Sequence, residues 1–349
     1  MTSDDITKID RSGMLTLLRD FPNQIREALV IAEKADVRMR TTGIRNIVMC
    51  GLGGSAIGGD LLRSYLANEL PVPFIVNRHY TLPKFVGPDS LVIISSYSGN
   101  TEETTTAHRE ALKRKARLLC VSSNGLTEQL ARKGRSPFIK VPGGLPPRAA
   151  LGYSFFPLLV SLARLGLIKN RQKDIAETVA LMDAGVQRFA GLDPAANPAL
   201  ALALKLHHRI TVCYSSTERF DAVNTRWRGQ IAENGKALAF GHVLPEMNHN
   251  ELVGWKVLEN EMREMVVVFL RDKDDHKRVQ IRMELTREII SRYTGHVVEV
   301  WSEGKSMLAR LFSLVQLGDW VSCYLAILHG EDPTPVAVID YLKQSLAQH

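Results

Sequence analysis

The feature that most restricts the fold is an alternation of short apolar runs with helix-period segments, several of the runs closed by a Gly- or Ser-rich turn. In the first half, runs of this kind occupy 46–50, 73–77, 91–95, 116–121 and 138–141. Strands alternating with helices over about 100 residues build parallel βαβ units, because the crossover helix returns the chain to the same edge of the sheet. Gly143-Gly144-Leu145-Pro146-Pro147 breaks the pattern and ends the first sheet. Helical segments at 149–167 and 175–185 lead to a second series, with strands expected at 210–214, 237–240, 266–270 and 297–300. Upstream of both, Met14, Leu15, Leu17, Leu18, Ile25, Leu29 and Ile31 recur at three- and four-residue spacings, which predicts helix. The expected class is α/β, with two three-layer α/β/α sandwiches and mainly parallel sheets. The expected division is a helical segment 1–40, a first sandwich 41–165, a bridging helical segment 166–195 and a second sandwich 196–349.

A chain of 349 residues with 45% hydrophobic and 23% charged residues has the balance to fill two such cores. Apolar runs such as 265–270 are too short to cross a bilayer, so no membrane partner is expected. The start, Met-Thr-Ser-Asp-Asp, lacks the basic and apolar regions of a secretory signal, which makes the cytoplasm the expected location. Cys50, Cys120 and Cys213 lie in strand-like runs and read as reduced core residues; with Cys323 they show no metal-ligand spacing. The net charge of +7 is spread along the chain without aromatic interleaving, which favours small anions over a nucleic-acid partner.

In an open parallel sheet the ligand crevice lies beyond the carboxyl ends of the strands, and there the sequence is most informative. Gly51-Leu52-Gly53-Gly54-Ser55-Ala56-Ile57-Gly58-Gly59 follows the first strand and opens a helix, where glycines and free N–H groups suit an anion. A dinucleotide fingerprint is the rival, but the spacing differs, and Asn77-Arg78-His79 stands where an acidic residue would hold a ribose. Ser95-Ser96-Tyr97-Ser98-Gly99-Asn100-Thr101-Glu102-Glu103 closes the third strand. Its hydroxyls at 96, 98 and 101 can surround a phosphate. The plainer alternative is a helix N-cap, a role open to Thr101. Capping uses one hydroxyl, so the additional serines favour the phosphate.

Ser96-Tyr97-Ser98-Gly99-Asn100-Thr101 resembles the phosphosugar signature of sugar isomerase (SIS) domains. Further stretches narrow the resemblance to bifunctional phosphoglucose/phosphomannose isomerases. They are Gly53-Gly54-Ser55-Ala56-Ile57-Gly58-Gly59-Asp60, Pro146-Pro147-Arg148-Ala149-Ala150-Leu151-Gly152-Tyr153, Glu233-Asn234-Gly235-Lys236, Pro245-Glu246-Met247-Asn248-His249-Asn250-Glu251 and Tyr341-Leu342-Lys343. The resemblance runs from about residue 45 to the C-terminus. Gly235 departs from the usual alanine and is expected to loosen the helix carrying Glu233.

The resemblance implies an aldose–ketose isomerase with no cofactor. It assigns Gly53, Gly54, Ser55, Ser96, Ser98 and Thr101 to the substrate phosphate, Glu233 to the base and Arg148 to the enediolate. It gives ring opening to His249 and Lys343. It also implies a homodimer in which His249 reaches the partner's pocket. The residue types fit the chemistry: a carboxylate to carry a proton between adjacent carbons, a cation beside the developing oxyanion, and an imidazole titrating near neutrality. Taken singly, each has a bland alternative, since a lone Glu or Lys is most often a solvated helix residue. For the segment 241–254, an ordinary loop folded over its own domain is as good a reading as a two-fold interface. No metal is expected: His207-His208 has no ligand-spaced partner in sequence, and His242 and His249 lie seven apart. Two other functions remain open, an amino-sugar phosphate isomerase on the same fold and a non-catalytic sugar-phosphate sensor.

Overall fold

The structure, a computed structural model, describes residues 1–346 and 348. It contains two parallel sheets, each in its own compact unit. One unit comprises residues 20–183 and 304–312, the other residues 1–19, 184–303 and 313–349. In chain order the elements run α1 Ser3–Ile9, α2 Met14–Lys34, β1 Asn46–Cys50, α3 Gly53–Leu66, β2 Phe74–Asn77, β3 Ser90–Ser95, α4 Glu102–Lys113, β4 Arg117–Ser122, α5 Gly125–Lys133, β5 Phe138–Lys140, α6 Leu151–Arg164 and α7 Gln172–Phe189. They continue with α8 Pro198–Leu206, β6 Thr211–Ser216, α9 Asp221–Glu233, β7 Ala239–Leu244, α10 Glu259–Arg263, β8 Val266–Arg271, α11 Lys277–Ile290, β9 Val297–Trp301, α12 Met307–Leu328 and α13 Ala337–Leu346.

The first sheet has the order β2-β1-β3-β4-β5 and is parallel throughout. Val48 pairs with Val92, and Val92 with Leu118, so their side chains lie on one face of the sheet. Ala107 and Ala111 of α4 and Ala131 of α5 fill that face, the small residues letting helix approach strand. Strand β3 is buried along its whole length, as a strand covered on both faces must be. The second sheet has the order β7-β6-β8-β9, also parallel. Tyr214, Leu244, Val267 and Phe269 share a core with Met247 and Trp255 beyond β7.

The units depart from the four consecutive segments expected, because a helix groups with whatever its apolar face covers. Residues 1–19 fall with the second sheet and 20–40 with the first, and the boundary at 183–184 lies inside α7. Phe312 of α12 joins Phe21, Phe155 and Phe156, with ring centroids 6.2, 4.9 and 5.1 Å away, which draws 304–312 to the first sheet. The expected loop 241–254 is also different. Its first four residues complete β7, and two short 3-10 turns, Glu246–His249 and Glu251–Gly254, follow.

Helix α12 corrects the reading that only short apolar runs occur. Its 22 residues are long and apolar enough to cross a membrane, but 89% of its most apolar window is buried inside the fold. It also carries buried Arg310, Gln316 and Asp319, as a core helix can. All four cysteines are buried. Burial pushes the Cys50 and Cys213 thiols up to about 12 and that of Cys120 still higher.

Candidate active site

Strand order in the first sheet reverses between β1 and β3, so the chain leaves these neighbours in opposite directions and opens a crevice at their carboxyl ends. The two loops singled out in the sequence flank that crevice. The β1 loop enters α3 through Gly53, at φ +51, and the N–H groups of Gly53 and Gly54 precede the first hydrogen bond of that helix. The β3 loop enters α4, whose first helical bond runs from the Thr105 N–H to the Thr101 carbonyl. Two helix N-termini thus follow the two loops at one switch point, an anion-binding arrangement.

The hydroxyls tie the loops together. Ser55 Oγ accepts the Tyr97 N–H at 3.2 Å, and Ser96 Oγ donates to Thr101 Oγ1 at 3.1 Å. Thr101 occupies the N-cap position of α4 but makes no capping bond, so the simple capping alternative does not describe it. Ser55 and Ser96 are buried, while Ser98 is exposed, with the Asn100 N–H 3.4 Å from its Oγ.

Arg148 lies in the same unit, on a 3-10 turn spanning Pro147–Ala149, and is buried. Gly54 explains how close this turn comes: a Cβ there would fall on the Pro147 carbonyl. Only glycine allows the first turn of α3 and the arginine turn to touch backbone to backbone. Tyr97 supplies a second tie that sequence reasoning missed, since its hydroxyl accepts the Leu145 N–H at 3.1 Å. Ser123 supplies a third, its hydroxyl donating to the Tyr97 carbonyl at 2.7 Å. The available signal was the polar run Ser122-Ser123-Asn124 at the end of β4, a strand-to-helix turn like the other two.

Glu233, His249 and Lys343 belong to the other unit. Glu233 is the last residue of α9, which is locked to α12 by buried polar contacts. Arg226 donates to both carboxylate oxygens of Asp319, at 2.9 and 2.7 Å, and Gln230 donates to the same group at 2.9 Å. Trp227 Nε1 donates to the Leu314 carbonyl at 2.8 Å, and Asn234 to Ser322 at 3.0 Å.

Gly235 does not loosen this helix, because it lies beyond the helix end. A Cβ there would stand 2.7 Å from the Ile231 carbonyl, so glycine lets the exit from α9 close more tightly than a residue with a side chain would. Lys236, quoted above without a role, anchors the exit. Its ammonium donates to the carbonyls of Glu233, Pro333 and Pro335 at 2.6, 3.2 and 2.6 Å, which joins the end of α9 to the chain leading into α13.

His249 ends the first 3-10 turn after β7 and is exposed, as is Lys343 on α13. Their surroundings differ. Met247 and Trp255 fold back into their own core, and Trp255 Nε1 donates to the Tyr214 hydroxyl at 3.1 Å. Trp255 is therefore a core residue. Val253, Val257 and Leu258 project instead, 76, 82 and 61% exposed. Helix α13 buries none of its residues, although Val338, Tyr341 and Leu342 are apolar or aromatic.

One part of the histidine reading is overturned. His207 and His208 do have a partner, His329 at the end of α12, with imidazole nitrogens of all three within 4.8 Å of one another. A partner more than a hundred residues away is invisible to spacing rules.

A family model described as the bacterial phospho-glucose isomerase C-terminal SIS domain matches residues 195–346. A bifunctional phosphoglucose/phosphomannose isomerase of Caldicellulosiruptor bescii is 42% identical over 336 residues, covering 96% of this chain and 99% of the relative. One of Aquifex aeolicus is 37% identical, covering 91% and 95%. Among solved structures, a hypothetical protein from Thermus thermophilus matches with a TM-score of 0.73 at 17% identity, covering 99% of this chain and 92% of that one, a likeness of fold alone. With such identity spread over nearly its whole length, the chain belongs to the bifunctional phosphoglucose/phosphomannose isomerase family.

Proposed function

We propose that the protein interconverts glucose 6-phosphate, and also mannose 6-phosphate, with fructose 6-phosphate by proton transfer through a cis-enediolate. The observation that carries this reading is the hydroxyl-lined crevice at the β1–β3 switch point, in a chain with bifunctional isomerases for relatives. Gly53, Gly54, Ser55, Ser96, Ser98 and Thr101 take the phosphate. His249 and Lys343 assist ring opening by moving a proton from the O1 hydroxyl to the ring oxygen. The Glu233 carboxylate removes the proton from C2 of the open aldose and returns it to C1. Arg148 stabilises the negative charge that develops on O1 and O2 between those steps. Protonation of C2 from either face gives the glucose or the mannose product.

The working form is a homodimer in the cytoplasm, with His249 donated to the partner's site. Three features support this assembly: the exposure of His249, the projecting Val253, Val257 and Leu258, and a C-terminal helix that buries nothing in its own chain. The test is incubation of chelator-treated protein with fructose 6-phosphate in EDTA, followed by separation of the sugar phosphates. Glucose 6-phosphate and mannose 6-phosphate should both form. Activity that vanishes with EDTA and returns with zinc would overturn the metal-free mechanism. No turnover under either condition would leave the sensor as the better reading.

A further inference from the structure

We propose that His207, His208 and His329 bind one divalent transition-metal ion of the zinc, copper or nickel class. His207 follows the last residue of α8 and His208 comes next at φ +58, a left-handed turn that brings the adjacent rings to one side. His329 follows the last residue of α12. Ring centroids lie 3.9 Å apart for His207 and His208, 5.1 Å for His207 and His329, and 5.5 Å for His208 and His329.

The hydrogen bonds orient these rings as ligands. His329 Nδ1 lies 2.8 Å from the Gly235 carbonyl. A carbonyl only accepts, so Nδ1 carries the proton and Nε2 presents its lone pair. The His208 backbone N–H stands 3.5 Å from that Nε2, too far to claim it strongly. The His207 Nε2 is buried with no hydrogen-bond partner among the described residues. A ring nitrogen fixed by a backbone carbonyl, with the other left as donor to an ion, is the usual outer shell of a metal-binding histidine. The His329 ring has it.

The donor set selects the ion. Three imidazoles without a carboxylate suit zinc, copper or nickel and do not suit magnesium or calcium, which take oxygen ligands. Arg209 opposes any cation here, and only a metal with strong imidazole affinity offsets that repulsion. In a tetrahedral site with bonds of about 2.0–2.1 Å the nitrogens must close to about 3.3 Å. The exposed His208 side chain is the one free to swing inward, and its open side leaves a fourth position to water. The ion takes no part in the proposed isomerisation and this inference stands without that reading.

The test uses tag-free full-length protein stripped with EDTA and freed of chelator. It is titrated with zinc chloride by calorimetry, and with cobalt chloride by its visible absorption. One ion per chain is expected, with an upward shift in Tm. His208→Ala, which alters an exposed side chain, should weaken binding at least about tenfold and shrink the Tm shift. His207→Ala/His208→Ala should abolish the cobalt signal. No binding by the native chain, or equal affinity in the native chain and both variants, would overturn the site.

Discussion

Ser98 and Glu233 reside in different units of the fold, and their substitutions are expected to fail in different ways. A hydrogen bond to a charged phosphate contributes about 1.5–3 kcal/mol, so Ser98→Ala should raise KM by about tenfold or more with a smaller effect on kcat. Glu233→Gln keeps size and shape but cannot take a carbon-bound proton, so kcat should fall at least about a hundredfold. Steady-state kinetics with fructose 6-phosphate reads both, and near-native turnover in Glu233→Gln would remove it as the base. The two loops proposed to hold the phosphate were legible in the sequence because each is a contiguous turn closing a strand, where residue type and local geometry are coupled. What remained hidden was long-range: the Tyr97 hydroxyl under Leu145, the three carbonyls gathered by Lys236, and the pairing of His329 with His207 and His208. Gly235 was misread for a related reason, since its role depends on where α9 stops.

Helix α9 depends on α12 for its position, and Asp319 is the centre of that attachment. Its carboxylate is 7% exposed and accepts from Arg226 and Gln230. Asp319→Ala would leave the Arg226 guanidinium buried opposite a cavity, a loss of about 3–5 kcal/mol for a broken buried pair. Asp319→Asn keeps an acceptor for Gln230 and should lose less. Chemical denaturation of the two variants checks the order, and an unchanged midpoint for Asp319→Ala would refute this account of the attachment. The nine strands among the described residues were foreseen within a few residues, and the central ones, β1, β3, β4, β6 and β8, stand out because parallel strands buried on both faces are short unbroken apolar runs. Strand β7 was the hardest to end: it is an edge strand containing Gly241 and His242, and its half-exposed pattern looks like loop. The apolar length of α12 escaped notice because Arg310, Gln316 and Asp319 interrupt it.

The proposed dimer makes a demand that neither chain can meet alone. Glu233→Gln and His249→Ala proteins, each inactive, should recover activity when dissociated and reassociated together, provided His249 serves the partner's site. About half the dimers are then mixed, each with one intact site, and the mixture should approach about a quarter of native activity. No recovery after verified subunit exchange would place His249 in its own subunit. The gross division of the chain was only partly legible, because the helices α2, α7 and α12 run past the boundaries between units and a sequence shows a helix without showing which core it covers.

The four buried thiols have a consequence for endurance. Each unit hides a pair, Cys50 and Cys120 in one, Cys213 and Cys323 in the other. Thiolate is the form that peroxides and disulfides attack, and at the elevated pKa of Cys50 and Cys213 almost none exists at neutral pH. The folded enzyme is therefore blind to oxidants at its cysteines, and becomes vulnerable only in the brief intervals when a core opens. Cysteine oxidation in this chain is a record of its own breathing, written separately in each half.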